Sequence, residues 1–169
     1  MKPWLILMLV LFSLPSWGAA RELSWQEMVP AGAPPPPPPM PIHDLSELGD
    51  VLLSEQEAPM PQREPAAPVV PGLDGQEVKL PGYIVPLEMS AEGRVIEFLL
   101  VPYFGACIHV PPPPSNQIVH VRSELGVLQD ALYQPYWVEG PLRVQQRSSE
   151  LAESGYVMEA IKIYEYELD

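Results

Sequence analysis

The chain has 169 residues, with 22 Asp or Glu against 9 Lys or Arg, so its formal net charge is −13. This length holds one domain with tails. The acidic charge excludes nucleic-acid binding through a basic face, because phosphate backbones are bound by clustered Lys and Arg. The sole cysteine excludes an internal disulfide.

The first twenty residues have the features of an export signal. Lys2 is the only charged residue among them, an apolar run follows at Trp4–Leu14, and small residues stand at Gly18 and Ala20. The pattern predicts a signal peptide over residues 1–20 and delivery to the bacterial periplasm. Since no apolar run in the chain is long enough to span a bilayer, we expect no membrane insertion after cleavage.

Residues 21–70 are predicted to form a proline-rich, partly ordered extension. Ser24–Glu27 has the spacing of a capping box, which favours one helical turn. The six prolines Pro34–Pro39 favour a stiff polyproline II spacer. Leucines near helical spacing in Asp44–Ser54 predict a short amphipathic helix. We expect Trp25 or these leucines to pack against the folded domain and stabilise it.

Residues 71–169 show the alternation and turn signals of a small β domain. The predicted strands are, in chain order, Gln76–Met89, Arg94–Pro102, Gln117–Arg122, Tyr136–Val144 and Tyr156–Leu168. Pro81 and Gly82 predict a bend in the first strand, as expected of a strand that curls around a barrel.

The connections between the later strands contain helix signals. Ser123–Tyr133 predicts a short helix or an irregular crossing, and Gly140 followed by Pro141 predicts a break in the fourth strand. Ser148–Ser154 has a serine cap and predicts a second short helix. The fold class that follows is mainly β: a five-stranded OB-like barrel with short helices and a proline-rich N-terminal extension.

Tyr103–Gln117, reading YFGACIHVPPPPSNQ, lies between the second and third predicted strands. If its backbone is extended, Cys107 and His109 project to the same side, about 6.5 Å apart at Cα, and can share a ligand. Pro111–Pro114 fixes φ and removes four backbone donors. This run therefore predicts a stiff, outward-facing ridge.

The first interpretation of this stretch is a metal site. Its ligands would be Cys107, His109 and His120, since His120 lies on the strand that leaves the loop. A thiolate with imidazoles suits Zn²⁺ or Cu⁺, and Zn²⁺ is the cofactor we expect. His43 or a water would complete the coordination.

A second interpretation is a thiol-dependent enzyme with Cys107 as nucleophile and His109 or His120 as its base. Asn116 or Gln117 would then orient the imidazole. Two features disfavour it. Residues two apart on a strand seldom form a nucleophile–base hydrogen bond, and no helix N-terminus is predicted that would lower the pKa of the thiol.

The third interpretation is a protein- or peptide-binding surface with a purely structural Cys107. A rigid, flat apolar area with flanking amides binds partners at low entropic cost. The residues that would form it are Tyr103, Phe104, Pro111, Pro112, Pro113, Pro114, Asn116 and Gln117.

A resemblance to a known family rests on three stretches and a following pair of residues. They are LPGYIVPL at Leu80–Leu87, Phe98–Pro102, GACIHVPPPP at Gly105–Pro114, and then Asn116 and Gln117. Over about Asp74–Asp169 the chain resembles a family of small exported bacterial proteins known as a domain of unknown function. The resemblance assigns no reaction. It implies genes beside an ABC-type transporter, in clusters that respond to zinc limitation.

The expectation from sequence is thus a soluble periplasmic accessory protein rather than an enzyme. It would act in zinc or other transition-metal homeostasis with a component of an ABC-type transporter. Its working surface would be the loop Gly105–Gln117.

Overall fold

The computed structural model describes residues 19–33, 61–107 and 110–166. Seven strands lie within these ranges: β1 Arg21–Glu22, β2 Glu77–Met89, β3 Arg94–Val101, β4 Val119–Leu128, β5 Tyr136–Ser148, β6 Glu153–Glu159 and β7 Lys162–Glu165. The helical elements of the same ranges are 3-10 turns at Trp25–Met28, Pro71–Leu73, Ser115–Gln117 and Gln129–Ala131.

Five strands close into a barrel in the order β2-β3-β4-β6-β5, because β2 also pairs with β5. β4 and β6 run parallel, whereas the other barrel pairs are antiparallel. This architecture confirms the predicted mainly β, OB-like barrel. β1 and β7 add short strands beside β2 and β5.

The long strand β2 pairs with two neighbouring strands in turn. Its first half, Glu77–Gly82, pairs with β5, and its second half, Tyr83–Met89, pairs with β3. At the junction, a Cβ on Gly82 would lie 2.7 Å from the carbonyl oxygen of Val101. β2 thus changes partner where the bend was predicted, and its register shifts between Pro86 and Glu88. A glycine stands at position 82 because the neighbouring backbone comes too close for a side chain.

Alternation along β3 and β4 builds two apolar clusters on opposite faces. Phe98 and Val121 point into the barrel and belong to its central core. Leu99 and Ile118 point outward, since successive residues of a strand face opposite sides. We call the outward group the outer cluster; it consists of Val85, Leu99, Val101, Ala106, Cys107, Ile118 and Ala152.

Two segments that precede the barrel lie against it: the first strap, residues 21–30, and the second strap, residues 61–70. Trp25 donates its indole N–H to the carbonyl of Pro81 at 2.6 Å, which confirms the expected packing of this residue. The buried hydroxyl of Tyr156 donates to Met28 O and accepts from Val70 N–H, both at 2.8 Å. One side chain of β6 thus fastens both straps.

Three of the predicted local features are wrong, and a fourth is right only in its last part. β4 continues to Leu128, so the helix or irregular crossing predicted at Ser123–Tyr133 is limited to the 3-10 turn Gln129–Ala131 and the residues after it. β5 is not broken at Gly140, and the predicted helix Ser148–Ser154 is the end of β5, a short connection and the start of β6. The predicted last strand is two strands, β6 and β7. Pairing with neighbouring strands overrides local helix and turn signals here. Gly140 is needed because the carbonyl of Glu159 lies against it.

Several predictions fall outside the described residues. They are residues 1–18 of the signal peptide, the spacer Pro34–Pro39 and the helix Asp44–Ser54. In the part of the chain that the structure describes, none of the helical turns has the length and apolarity needed to cross a membrane.

Candidate functional site

Cys107 lies in a tight loop after β3. Its N–H donates to the carbonyl of Val110 at 3.1 Å, and the N–H of Val110 donates to Gly105 at 3.3 Å. The φ of Cys107 is 66°, in the left-handed region that side chains with a Cβ disfavour. The extended backbone expected at Cys107 is therefore wrong, and His109 lies outside the described residues.

The thiol of Cys107 lies in an apolar environment. The residue is 7% exposed and belongs to the outer cluster. Burial raises its pKa from 9.0 to about 12, because a thiolate there would lose its hydration. At neutral pH the thiol is protonated, which disfavours the nucleophile of the thiol-enzyme interpretation.

The outward-facing proline ridge is a wrong prediction, because Pro112, Pro113 and Pro114 are buried. The second strap contacts this segment. Gln62 donates its amide N–H to the carbonyl of Pro113 at 2.8 Å. A proline run lacks N–H donors but keeps its carbonyls, so it can be buried when other segments supply the donors.

Asn116 and Gln117 are also buried, and their side-chain amides bind the straps. Asn116 Nδ2 donates to the carbonyl of Pro68 at 2.8 Å, and Gln117 Nε2 donates to that of Trp25 at the same distance. In the described structure these amides hold the chain's own segments.

The predicted partner-binding residues that keep exposed area are fewer. Phe104 is 51% exposed and packs edge to face with Tyr83, with ring centroids 5.7 Å apart. Tyr103 and Pro111 are half-buried. Binding of a partner by this stretch stays a prediction, and its available area is centred on Phe104.

His120 lies on β4 opposite Leu99 of β3, on the face that carries the outer cluster. Its side chain is 3% exposed. Ring atom Nε2 lies 2.6 Å from Glu97 Oε1. Ring atom Nδ1 is buried and has no hydrogen-bond partner among the described residues, which is unusual, because buried polar atoms are nearly always paired.

Glu97 connects this histidine to two arginines. Its Oε2 accepts from Arg122 Nε at 2.8 Å, and Arg147 Nη2 lies 3.9 Å from Oε1. Burial alone would raise the pKa of Glu97, but the hydrogen bonds from His120 and Arg122 outweigh it, so the pKa is lowered. The carboxylate is thus ionised at neutral pH.

Sequence reasoning missed Glu97 and Arg147. The available signal was weak. After its first residue, Arg94, the most apolar predicted strand contains one charged residue, Glu97, and His120 and Arg122 share a face of the next strand. A buried charge in such a strand requires a partner. The strand register that supplies the partner was not predicted.

A groove of 410 Å³ opens beside His120 on this face of β3 and β4. Its lining comprises Pro86, Leu87, Glu88, Glu97, His120, Arg147, Ser148, Ser149, Glu150 and Leu151. Leu87 and Leu151 also pack against the outer cluster that contains Cys107. OB-like barrels bind ligands on the corresponding face and its loops, so this groove is the candidate functional site.

The family model described as a protein of unknown function, DUF3299, matches residues 25–165. The chain belongs to the DUF3299 family. It is also similar to a solved structure, the crystal structure of a DUF3299 family protein from Pseudomonas aeruginosa, with 59% identity and a TM-score of 0.76. That match covers 90% of this chain and 99% of the other. A comparison with curated proteins gives no match.

The metal site predicted for this DUF3299 protein stays a prediction. Cys107 and His120 lie on the same outer face, and His109 is outside the described residues. Among described residues, no group of three or more His, Cys, Asp or Glu side chains could hold a metal ion. Ligating histidines commonly have a carboxylate partner on the other nitrogen, as Nε2 of His120 has in Glu97. Nδ1 itself is buried.

Proposed function

We propose that this DUF3299 protein is a non-enzymatic accessory protein that binds a transition metal, zinc first, in the periplasm. The observation that supports the proposal is the buried Nδ1 of His120, which has no hydrogen-bond partner among the described residues, in a ring held by Glu97 on the face that also carries Cys107. A buried nitrogen without a hydrogen bond costs about 1–3 kcal/mol. A bound metal ion would offset that cost.

The donor set favours a soft or borderline metal. His120 and Cys107 belong to the same outer face, and His109 follows Cys107 by two residues. Nitrogen and sulfur ligands select zinc or copper over magnesium or calcium. His109 or water would supply the ligands beyond the described pair.

Burial of Cys107 disfavours both the metal-ligand and the nucleophile interpretation of its thiol. A metal binds the thiolate, so coordination by Cys107 must release the thiol proton. The raised pKa makes that release unfavourable, and we therefore expect His120 to contribute more to affinity than Cys107. The same raised pKa disfavours thiol catalysis more strongly, because catalysis needs a thiolate without a metal to stabilise it.

Localisation and partner rest on different support. The pattern of residues 1–20 supports export to the periplasm. The family resemblance supports work beside an ABC-type transporter in zinc-responsive clusters. The acidic net charge of −13 is consistent with a cation-handling protein.

The first test is metal analysis of protein purified from periplasm without chelator, followed by calorimetry of the chelator-treated protein with zinc chloride. We expect about one zinc per chain, as for a single built site. Cys107→Ser, His109→Ala and His120→Ala should each weaken binding.

Glu150→Gln is the matched control, because Glu150 lines the same groove, is exposed and belongs to no predicted ligand set. Its affinity should equal that of the wild type. Absence of zinc from the wild type, or equal affinity in all four variants, would contradict the metal role.

A second candidate function, binding of a protein partner, is favoured by the exposed ring of Phe104. Large exposed aromatics are typical anchors of interfaces. Tagged protein should recover an ABC-type transporter component from periplasmic extract, and Phe104→Ala should reduce recovery. Tyr133→Ala removes another exposed aromatic, on a different part of the chain, and serves as control. Equal recovery with wild type and Phe104→Ala would exclude this surface.

A further inference from the structure

Three aromatic side chains line a groove of 370 Å³ where the first strap meets β2 and β5. They are Trp25, Trp137 and Tyr166, and the acidic residues Glu22 and Glu27 belong to the same lining. We call it the aromatic groove. It shares no lining residue with the groove beside His120, so it is a separate site.

Backbone contacts fix the positions of the three rings. Trp25 donates its indole N–H to the carbonyl of Pro81 at 2.6 Å, and Trp137 lies opposite Pro81 in the register of β2 and β5. Tyr166 follows β7, donates its backbone N–H to Pro135 at 3.0 Å, and packs against Trp137 with ring centroids 5.1 Å apart. The rings are half-buried, so part of each surface remains available to a ligand.

Trp137 already contacts an ammonium group of the chain itself. Lys79 Nζ lies 4.4 Å from the centroid of the Trp137 ring, a distance at which the ring attracts a cation. The same nitrogen lies 3.2 Å from Glu22 Oε2. The Glu22 side chain is 66% exposed, and such exposed ion pairs contribute little stability, so another cation can replace Lys79 at low cost.

The charges of the aromatic groove also favour a cation. Hydrogen bonds from the backbone and the hydroxyl of Ser24 lower the pKa of Glu27, which keeps that carboxylate ionised. Arg21 pairs with Glu27 at the surface. Among the described residues, the lining of the groove contains no Lys or Arg. Aromatic walls with nearby carboxylates are the means by which proteins recognise organic ammonium ions.

We propose that the aromatic groove is a binding site for an organic ammonium ion, either a choline-like headgroup or the side chain of a lysine in a peptide. Lys79 is then the chain's own competitor for the ring of Trp137. The proposed metal site and this one share no residue, so neither depends on the other.

Intrinsic fluorescence tests the site in protein purified from periplasm. Beyond residue 20 the chain has two tryptophans, Trp25 and Trp137, and both line the groove. Choline chloride is compared with dimethylbutanol, its neutral carbon isostere. We expect choline to change the fluorescence and the isostere to bind about 5- to 30-fold more weakly, the range of a cation–π contact. A third titration, with N-acetyl-lysine methylamide, identifies the source: tighter binding than choline indicates a basic peptide, and weaker binding a quaternary headgroup.

Variants then assign the binding to these residues by calorimetry with choline. Trp137→Leu keeps an apolar side chain but removes the ring, and should lower affinity about 5- to 30-fold, with a smaller loss in Trp137→Phe. Lys79→Met removes the competing ammonium and frees Glu22, so it should bind choline more tightly than the wild type. Tyr133→Leu removes an exposed ring outside the groove and should match the wild type.

Equal responses to choline and dimethylbutanol, or equal choline affinity in the wild type and Trp137→Leu, would overturn the site. Affinity of Lys79→Met at or below that of the wild type would overturn the competition. The isostere and Lys79→Met keep the test decisive if Trp137→Leu folds poorly. Zinc calorimetry on Trp137→Leu should give the wild-type result, so failure of one site is distinguishable from failure of the other.

Discussion

Cys107 and His120 are both buried on the outer face of β3 and β4, yet their surroundings differ in kind. Cys107 lies among aliphatic side chains and keeps its proton, with a pKa raised to about 12. His120 lies against an ionised carboxylate that two arginines approach. Burial in hydrocarbon suppresses charge, whereas burial beside a compensated charge orients a polar ring.

The comparison shows why equal burial does not mean equal function. A buried thiol without a charged neighbour is most often a packing residue. A buried imidazole beside an ionised carboxylate keeps a fixed orientation. Whether either residue binds a metal stays a prediction.

The largest expected effect is on the reactivity of Cys107. With a pKa of about 12 in place of 9.0, the thiolate fraction near pH 8 falls by about 1000-fold. Alkylation by iodoacetamide should be slower by about that factor in the folded, metal-free protein than in urea. Mass spectrometry measures both rates, and a fast, pH-dependent reaction in the folded protein would revive the thiol-enzyme interpretation.

The next effect is on stability at the other site. Glu97→Ala leaves His120 and Arg122 without their carboxylate, and loss of one partner from a mostly buried pair should destabilise the fold by about 3 kcal/mol. Urea denaturation followed by circular dichroism measures it. Glu150→Ala changes an exposed glutamate of the same groove and should leave the midpoint in place. Equal midpoints for both variants would show that the Glu97 contacts contribute nothing.

The smallest effect is the dependence of stability on alkaline pH. In the unfolded chain Cys107 loses its proton near pH 9, but in the fold it keeps it until about pH 12. The stabilising contribution of the protonated thiol is therefore fully present below pH 9. It is lost as the pH rises, and the free energy of unfolding falls by about 1 kcal/mol between pH 9 and pH 10.

The urea midpoint of Cys107→Ala should fall less steeply with pH over this interval than the midpoint of the wild type. Tyr103 and Tyr156 also have raised pKa values through burial, so the wild type and the variant must be compared at the same pH. Parallel curves would mean that the thiol titrates in the fold as it does in the unfolded chain.

The barrel was predictable because its signals are local. Alternating apolar residues mark β2 and β3 closely, and the bend predicted at Pro81 and Gly82 falls where the strand changes partner. The later strands were less predictable. β5 and β6 pair with each other across Ser148–Ser154, and the serine cap signal there favours a helix that pairing does not allow.

The proline segment shows the limit of composition as a guide. Four prolines in a row predict exposure, because a segment without N–H donors cannot join a sheet interior. Here Gln62 of the second strap donates to the carbonyl of Pro113, and Pro112–Pro114 is buried. The contact joins residues 51 apart in sequence, and no local sequence pattern predicts it.

The sequence by itself determined the barrel, the export pattern and the choice of Cys107 and His120 as the residues of interest. Periodicity and residue chemistry carry that information within a few positions. The tertiary structure decided the surroundings of each, because Glu97 and His120 lie 23 residues apart and meet through the register of β3 and β4. It also decided that the second strap contacts the proline segment. Both outcomes depend on contacts between distant residues, and those are fixed only when the sheet closes.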